Sequence, residues 1–379
     1  MKSRKLTLLC SIGLVLVLVL STILAACAQE AAPAAPAAPA KPSPTTPTTP
    51  TTPATPAKPA PAPAAEVHKW KFTTTEPEGT DRWHLFEVFA ANLEEQSQGR
   101  IVLSLYPTGQ LVKGVDMLEA LEQDVIQVGD CYGPYWSEFI PETAVEGGFP
   151  FTLRTIREYN YVWYELGLLD LVREVYAEHG TYYLAPNAGS GAYMWASKPI
   201  VNLADFEGLK ARGTGLRAQL LEQLGVATTY IPHEEGYMAL QLGTVTAYET
   251  ALATYMGMKH YEVCPYVMTP GLLDPAISGG TVISTKARDK LPADLQLLLE
   301  ASGPGISLLY DYIDYESQAK ILSNLPNYGA QTVQFSAEVV ARMTEIGTEL
   351  MEEYGAKSAR CQEMVDIIKG YMKVKGYIE

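Results

Sequence analysis

Three strings in this chain carry residue types used for bond-making or cofactor chemistry. His233-Glu234-Glu235-Gly236-Tyr237 opens like a zinc-binding HExxH helix, but Tyr237 stands where the second histidine must follow one turn on. Gly189-Ser190-Gly191 would need glycine at 188 and 192 to form a nucleophile elbow, and both are alanine. Gly213-Thr214-Gly215-Leu216-Arg217-Ala218 is a GxGxxA string between a short strand and a helix, with Glu234 about twenty residues on, the outline of a dinucleotide turn. Against it stand the charges Lys210 and Arg212 in the strand before it, and an export signal that would take the chain away from dinucleotides. His68, His84, His179, His233 and His260 sit in no local serine or cysteine arrangement.

Arg212 offers recognition instead. A guanidinium presents two parallel donors that match a carboxylate, and the N-terminus of the helix that follows adds positive potential and free N–H groups. The plainer reading of Arg212 is an ion pair in an acid-rich chain. Tyr132, Tyr135 and Trp136 follow a strand, and the chain holds 23 tyrosines. Such rigid amphipathic rings suit a pocket for a small ligand, or simply local packing.

The elements that must position these residues alternate. Strands are expected at Lys69–Thr74, Arg100–Tyr106, Val125–Val128 and Thr181–Ala185, with helices at Asp81–Gln96, Val115–Gln123, Thr155–Leu166 and Leu168–His179. Gly-rich chain follows. Short strands at Leu209–Arg212, Thr228–Ile231, Val245–Tyr248, Tyr266–Met268 and Thr281–Ser284 alternate with helices at Leu216–Leu224, Glu234–Leu242 and Tyr255–Tyr261. This pattern is α/β. From Ala293 to about Leu322 a long helical period runs on, with Gly303-Pro304-Gly305 expected to kink or break it. A strand at Gln331–Gln334 and helices at Ala337–Tyr354 and Ala359–Tyr371 end the chain.

Composition bounds the role. Of 379 residues, 28 are Lys or Arg and 43 Asp or Glu, a net charge of −15, which excludes nucleic acid as a partner. Residues 1–26 carry Lys2, Arg4 and Lys5, then an apolar run from Leu6 to Leu24, and read as an export signal. Leu24-Ala25-Ala26-Cys27 resembles a bacterial lipobox, which makes Cys27 the lipidated N-terminus of an extracytoplasmic protein held on the outer face of the cytoplasmic membrane; a retained single span is the alternative. Residues 27–66 hold 12 prolines among alanines and threonines and form an extended spacer rather than a core. Cys131, Cys264 and Cys361 are too few and too far apart for a disulfide framework, and read as buried, inert thiols.

From about Val67 to Lys369 the chain resembles the extracytoplasmic substrate-binding proteins of TRAP transporters, the DctP type. The resemblance is carried by Gly99-Arg100-Ile101-Val102, Pro107-Thr108-Gly109-Gln110-Leu111, Phe149-Pro150-Phe151, Lys198-Pro199-Ile200, the segment Leu203 to Arg212, the segment Tyr237 to Val245, and Leu291-Pro292-Ala293-Asp294-Leu295. It implies a two-lobed periplasmic-binding-protein-like α/β fold (type II) with a long helix spanning both lobes. Residues 67–188 would form lobe I, completed by about 276–310, and residues 189–275 lobe II, completed by about 311–379. It also implies a receptor, not an enzyme, that delivers an organic acid to the small and large membrane subunits of a TRAP permease.

Position by position, the resemblance makes Arg212 the substrate-carboxylate anchor and places Tyr248, Glu249 and Thr250 in the pocket. Trp195 falls where the keto-acid branch has an aromatic lining residue, and Asp274 where it has an acid. Glu249 and Asp274 could thus hold a sodium or calcium ion bridging to the substrate, although Gly191 replaces the side-chain amide of that branch. Gly191 also replaces a second arginine of many dicarboxylate and acidic-sugar binders, so a monocarboxylate such as a keto or hydroxy acid is expected. The competing readings are a binding protein of an ATP-driven transporter, a secreted dinucleotide-dependent oxidoreductase and an adhesive surface protein.

Overall fold

Alternation of Trp70 and Phe72 buries one face of β1 (His68–Thr73), and the Thr80 hydroxyl caps α1 (Asp81–Gln96) by accepting from the Trp83 N–H at 3.1 Å. Next come β2 (Ile101–Tyr106), α2 (Met117–Glu122), β3 (Val128–Cys131) and α3 (Glu142–Glu146). After α4 (Ile156–Tyr164) and α5 (Leu168–Glu178) the chain enters β4 (Thr181–Gly189) and β5 (Ala192–Ala196). Then follow β6 (Lys210–Arg212), α6 (Gly215–Gln223), β7 (Ala227–Thr229), α7 (His233–Gln241), β8 (Ala247–Thr250) and α8 (Leu252–Gly257). β9 (Tyr266–Leu273), β10 (Ala276–Ser284), α9 (Thr285–Arg288), α10 (Ala293–Asn324), β11 (Gln331–Gln334), α11 (Ala337–Gly355) and α12 (Ala359–Val374) complete the order.

This computed structural model describes residues 66–379 except 108, 190, 232, 274 and 275. The export signal 1–26, the lipid site Cys27, nearly all of the spacer 27–66 and the pocket candidate Asp274 lie outside the described residues. No helix among the described residues is long and apolar enough to cross a membrane.

Two mixed sheets organise the α/β fold, one per lobe. The first has the order β2-β1-β3-β10-β4, with β1 parallel to β2 and β3, and β10 antiparallel to β3 and β4. The second has the order β11-β9-β5-β8-β6-β7; β6 lies parallel to β7 and β8, while β5 runs antiparallel to β8 and β9. The chain crosses between the sheets from β4 to β5 and returns from β9 to β10.

Three expectations are corrected. The stretch expected as Gly-rich connection is the end of β4 and the start of β5. Gly189 is there for close approach, since a Cβ would lie 2.6 Å from Asp314 Oδ2 and 2.9 Å from the Tyr310 ring on α10. β3 begins at Val128 rather than Val125, because the Gln127 side-chain carbonyl accepts the Lys71 N–H (2.9 Å) that a ladder carbonyl would otherwise take. That shift puts Asp130, Cys131 and Tyr132 at the end of the strand. Finally, α10 runs unbroken through Gly303-Pro304-Gly305. Pro304 is exposed, so the carbonyl it leaves without an N–H faces water, while Gly303 on the buried side lets the helix settle on β4.

α10 packs on α1 and β4 and, further along, on α8, and so spans both lobes. α11 lies against α6 and α3, and α12 against α3, α4 and α5. The largest buried cluster runs from Met117 and Trp163 through Met194 and Met268 to Met343 and Met372, tying helices of both lobes together. Cys131, Cys264 and Cys361 are free and buried.

Candidate functional site

β6 and β8 are parallel neighbours in the register Arg212↔Tyr248, so their C-terminal ends deliver Arg212 and Glu249 to one place. The ends of parallel strands are where open α/β sheets gather ligand-binding groups. Arg212 is 4% exposed and Glu249 fully buried. Arg212 Nη1 donates to the Glu249 carbonyl (2.8 Å) and to Oε1 (3.3 Å), and Nε donates to the Ile231 carbonyl (3.3 Å). Its Nη2 donates to no described residue. The guanidinium lies 5.1 Å from the Tyr248 ring centre and 5.7 Å from that of Tyr230, so two aromatic faces set its plane.

Glu249 is the hub of this cluster. Its Oε1 also accepts from the Thr214 N–H (2.8 Å) and hydroxyl (3.0 Å), and its Oε2 accepts from Arg217 Nε. The N-terminus of α6, expected to be open for a substrate anion, therefore already holds an anion from the protein. The same contact disposes of the dinucleotide reading of Gly213 to Ala218, because Glu249 sits where a pyrophosphate would have to lie.

Arg217 was not anticipated from the sequence. Its Nη2 donates to the Thr214 hydroxyl (2.9 Å) and its Nη1 to the Tyr132 hydroxyl (3.1 Å), which joins α6 to the segment that follows β3 of the first sheet. Burial pulls its pKa down, but Glu249 and Tyr132 outweigh burial and hold it above the ordinary arginine range. The available signal was positional: a side chain in the first turn of a helix leans back toward the N-terminus, which here means toward Arg212.

Trp195 and Tyr248, expected in the pocket, lie side by side in the second sheet. Both are fully buried, paired across β5 and β8, with rings stacked at 5.5 Å and 10°. They form a layer beneath Arg212, backed by Tyr255 (4.9 Å from Trp195) and His260 (4.8 Å from Tyr248). Tyr248 and His233 Nδ1 share a hydrogen bond of 3.0 Å. Burial, with His233 and Arg212 nearby, lowers the His260 pKa to about 4, so its ring is neutral. Thr250 ends β8 opposite Tyr193, half-buried. On the lobe I side, Tyr132 and Tyr135 pack edge to face at 5.1 Å, with Tyr135 47% exposed, whereas Trp136 is core, donating its indole N–H to the Val115 carbonyl at 2.9 Å. A small cleft opens beside the Arg217–Tyr132 bridge, lined also by Pro134, Gly148, Leu216 and Tyr354.

Of the two residues expected to hold a cation, Asp274 lies outside the described residues and Glu249 is described. Glu249 is wrapped by two guanidinia and an N–H, and no cluster of three His, Cys, Asp or Glu that could hold a metal occurs among the described residues. What the cluster can do is bind an anion: two positive charges against one negative leave a net positive site in a buried setting.

The family model of bacterial extracellular solute-binding protein, family 7 (DctP), matches residues 72–358. The monocarboxylate 2-oxoacid-binding periplasmic protein of Nostoc sp. (strain PCC 7120) is 25% identical over 315 residues, covering 80% of this chain and 84% of that protein. A TRAP transporter solute-binding protein from Bordetella bronchiseptica, solved with copurified calcium and picolinate, superposes with a TM-score of 0.74 at 22% identity, over 82% of this chain and 93% of that one. One from Pseudoalteromonas atlantica, with bound sodium and pyruvate, gives a TM-score of 0.70 at 24% identity, over 82% and 96%. These structural likenesses carry the two-lobed fold.

Proposed function

Because the chain belongs to family 7 of the bacterial extracellular solute-binding proteins, the DctP family, we propose that it is the receptor that closes over a small monocarboxylate and delivers it to a TRAP-type permease. The family is one of extracytoplasmic transport receptors, not of enzymes. The observation that carries the reading is Arg212: a buried guanidinium, oriented by Glu249, Ile231 and two tyrosines, whose Nη2 donates to no described residue. One ligand carboxylate would neutralise the single net positive charge of Arg212, Arg217 and Glu249, which favours a monoacid over a diacid. The name of the Nostoc relative agrees with a 2-oxoacid.

Tyr132, Tyr135, Thr250 and Tyr230 surround that anchor in this reading, and Trp195 and Tyr248 support it from below. Asp274, which follows Leu273 in the sequence, is included in this reading on the family resemblance alone. In this reading lobe I takes residues 67–188, completed by about 276–310, and lobe II takes residues 189–275, completed by about 311–379. The lipid on Cys27 and the export signal are part of the proposal, supported by the Leu24-Ala25-Ala26-Cys27 string. Closure in such a receptor is driven only by contacts the ligand makes in the closed form.

Mass spectrometry of small molecules released from the purified protein, followed by melting with that acid or with pyruvate, tests the assignment. Ligand at a hundred times its Kd adds about 2.7 kcal/mol. Arg212→Lys keeps a charge for Glu249 but loses the fork, and it is expected to weaken binding at least tenfold. A full melting shift in that variant, or release of an uncharged compound, sinks the reading.

A further inference from the structure

The two solved proteins described above hold calcium or sodium with their acids, whereas both carboxylate oxygens of Glu249 in this chain already accept from protein donors. A hard cation is held by several oxygens, with carboxylate oxygens that are free to turn to it. Here Oε1 accepts three hydrogen bonds, from Arg212 Nη1 and from the Thr214 N–H and hydroxyl, and Oε2 accepts from Arg217. Two fixed guanidinium charges touching one carboxylate also repel a further cation.

Arg217 supplies what an ion at this place would supply. Its charge is permanent, its side chain is 11% exposed, and it is held at three points: Glu249, Thr214 and, across the lobes, the Tyr132 hydroxyl. A bound ion would neutralise Glu249 and draw oxygens of both lobes together; the guanidinium does both with hydrogen bonds of fixed direction.

We propose that Arg217 is a built-in replacement for an exchangeable cation, so that this receptor binds its acid without a metal ion and closes through the Arg217–Tyr132 bridge. The inference rests on Arg212 being the carboxylate anchor. It makes Arg217 a specificity-determining residue: the ligand meets a directional guanidinium pair rather than a metal centre able to chelate a keto acid through two oxygens.

The test is a titration of the purified protein with the acid it releases, or with pyruvate where none co-purifies. It is run in sodium-free buffer with a chelator, and again with millimolar calcium or sodium added. Equal affinity in all three buffers is expected. Binding that needs calcium or sodium overturns the inference and leaves the role of Arg212 standing, whereas no binding in any buffer removes both. Arg217→Gln is expected to bind at least tenfold more weakly in chelator, and Arg217→Lys to recover part of the loss. An Arg217→Gln protein that binds as tightly as the parent in chelator also overturns the inference. If that variant does not fold, the comparison of buffers on the parent protein decides.

Discussion

Glu146 shows how one residue can couple the site to pH. It is 1% exposed, its Oε2 accepts from the Tyr176 hydroxyl at 2.8 Å, and its Oε1 has no partner among the described residues. Burial pushes its carboxyl up to about 8, against the pull of the Tyr176 and Tyr183 hydroxyls. The folded protein therefore keeps a proton that the unfolded chain, titrating near 4.5, has released. Between those values the native state binds more protons, so stability falls as pH rises, by about 1.4 kcal/mol per pH unit at the steepest, and levels off above pH 8. Glu146→Gln keeps the shape and removes the titration. Urea midpoints measured from pH 5 to pH 9 should slope down in the parent and lie nearly flat in the variant, and parallel curves would show that the carboxyl is not held neutral. Gly133, just below Tyr132, leaves space only for this carboxylate, because a Cβ there would fall 2.2 Å from Oε2. Ionising Glu146 would thus disturb the segment that carries Tyr132 and Tyr135.

At the scale of elements, two helical glycines with different surroundings separate packing from propensity. Gly347 lies in α11 where the helix meets the Phe149-Pro150-Phe151 turn, and a Cβ would sit 2.1 Å from the Pro150 carbonyl oxygen. Gly305 lies in α10, exposed, with nothing within 4 Å of its Cβ position. Gly347→Ala must push helix and turn apart and should cost about 1–3 kcal/mol or more, whereas Gly305→Ala should stabilise by about 0.5–1 kcal/mol. Chemical denaturation of the two variants reads both signs, and a neutral Gly347→Ala would mean that the turn yields freely. The same glycines mark how much of the fold could be read from sequence. Apolar period located α1, α5 and α12 closely, because one face of each is buried. It failed at Gly189 and Gly303-Pro304-Gly305, where a local rule signals flexibility but tertiary contact uses glycine for closeness. At the candidate site, Arg212 and Glu249 were named through the family resemblance, and the register of β6 with β8 is what brings the two together. The stacking of Trp195 on Tyr248 and the place of Arg217 were not legible, because cross-strand stacking and the lean of a helical side chain depend on register that no local pattern carries.

The whole molecule sets a charge problem for its ligand. The chain carries a net charge of −15, and loss of an export signal with Lys2, Arg4 and Lys5 would deepen it. In the proposed reading an anionic acid must travel through this field toward a small cluster, Arg212 and Arg217 against Glu249, most of which is buried. At about 0.01 M salt the screening length is about 30 Å, comparable with the protein itself, so the approaching anion feels the negative whole. At about 0.15 M the length shrinks to about 8 Å and only the neighbourhood of the two arginines is felt. Association should therefore speed up by a few fold as salt rises over this range, the reverse of ordinary electrostatic steering, while dissociation from the buried cluster changes little. Stopped-flow mixing of the acid with the protein, followed by intrinsic tryptophan fluorescence at several salt concentrations, measures this directly. An association rate that falls with salt would mean that the arginine pair, not the net charge, governs the field at a distance.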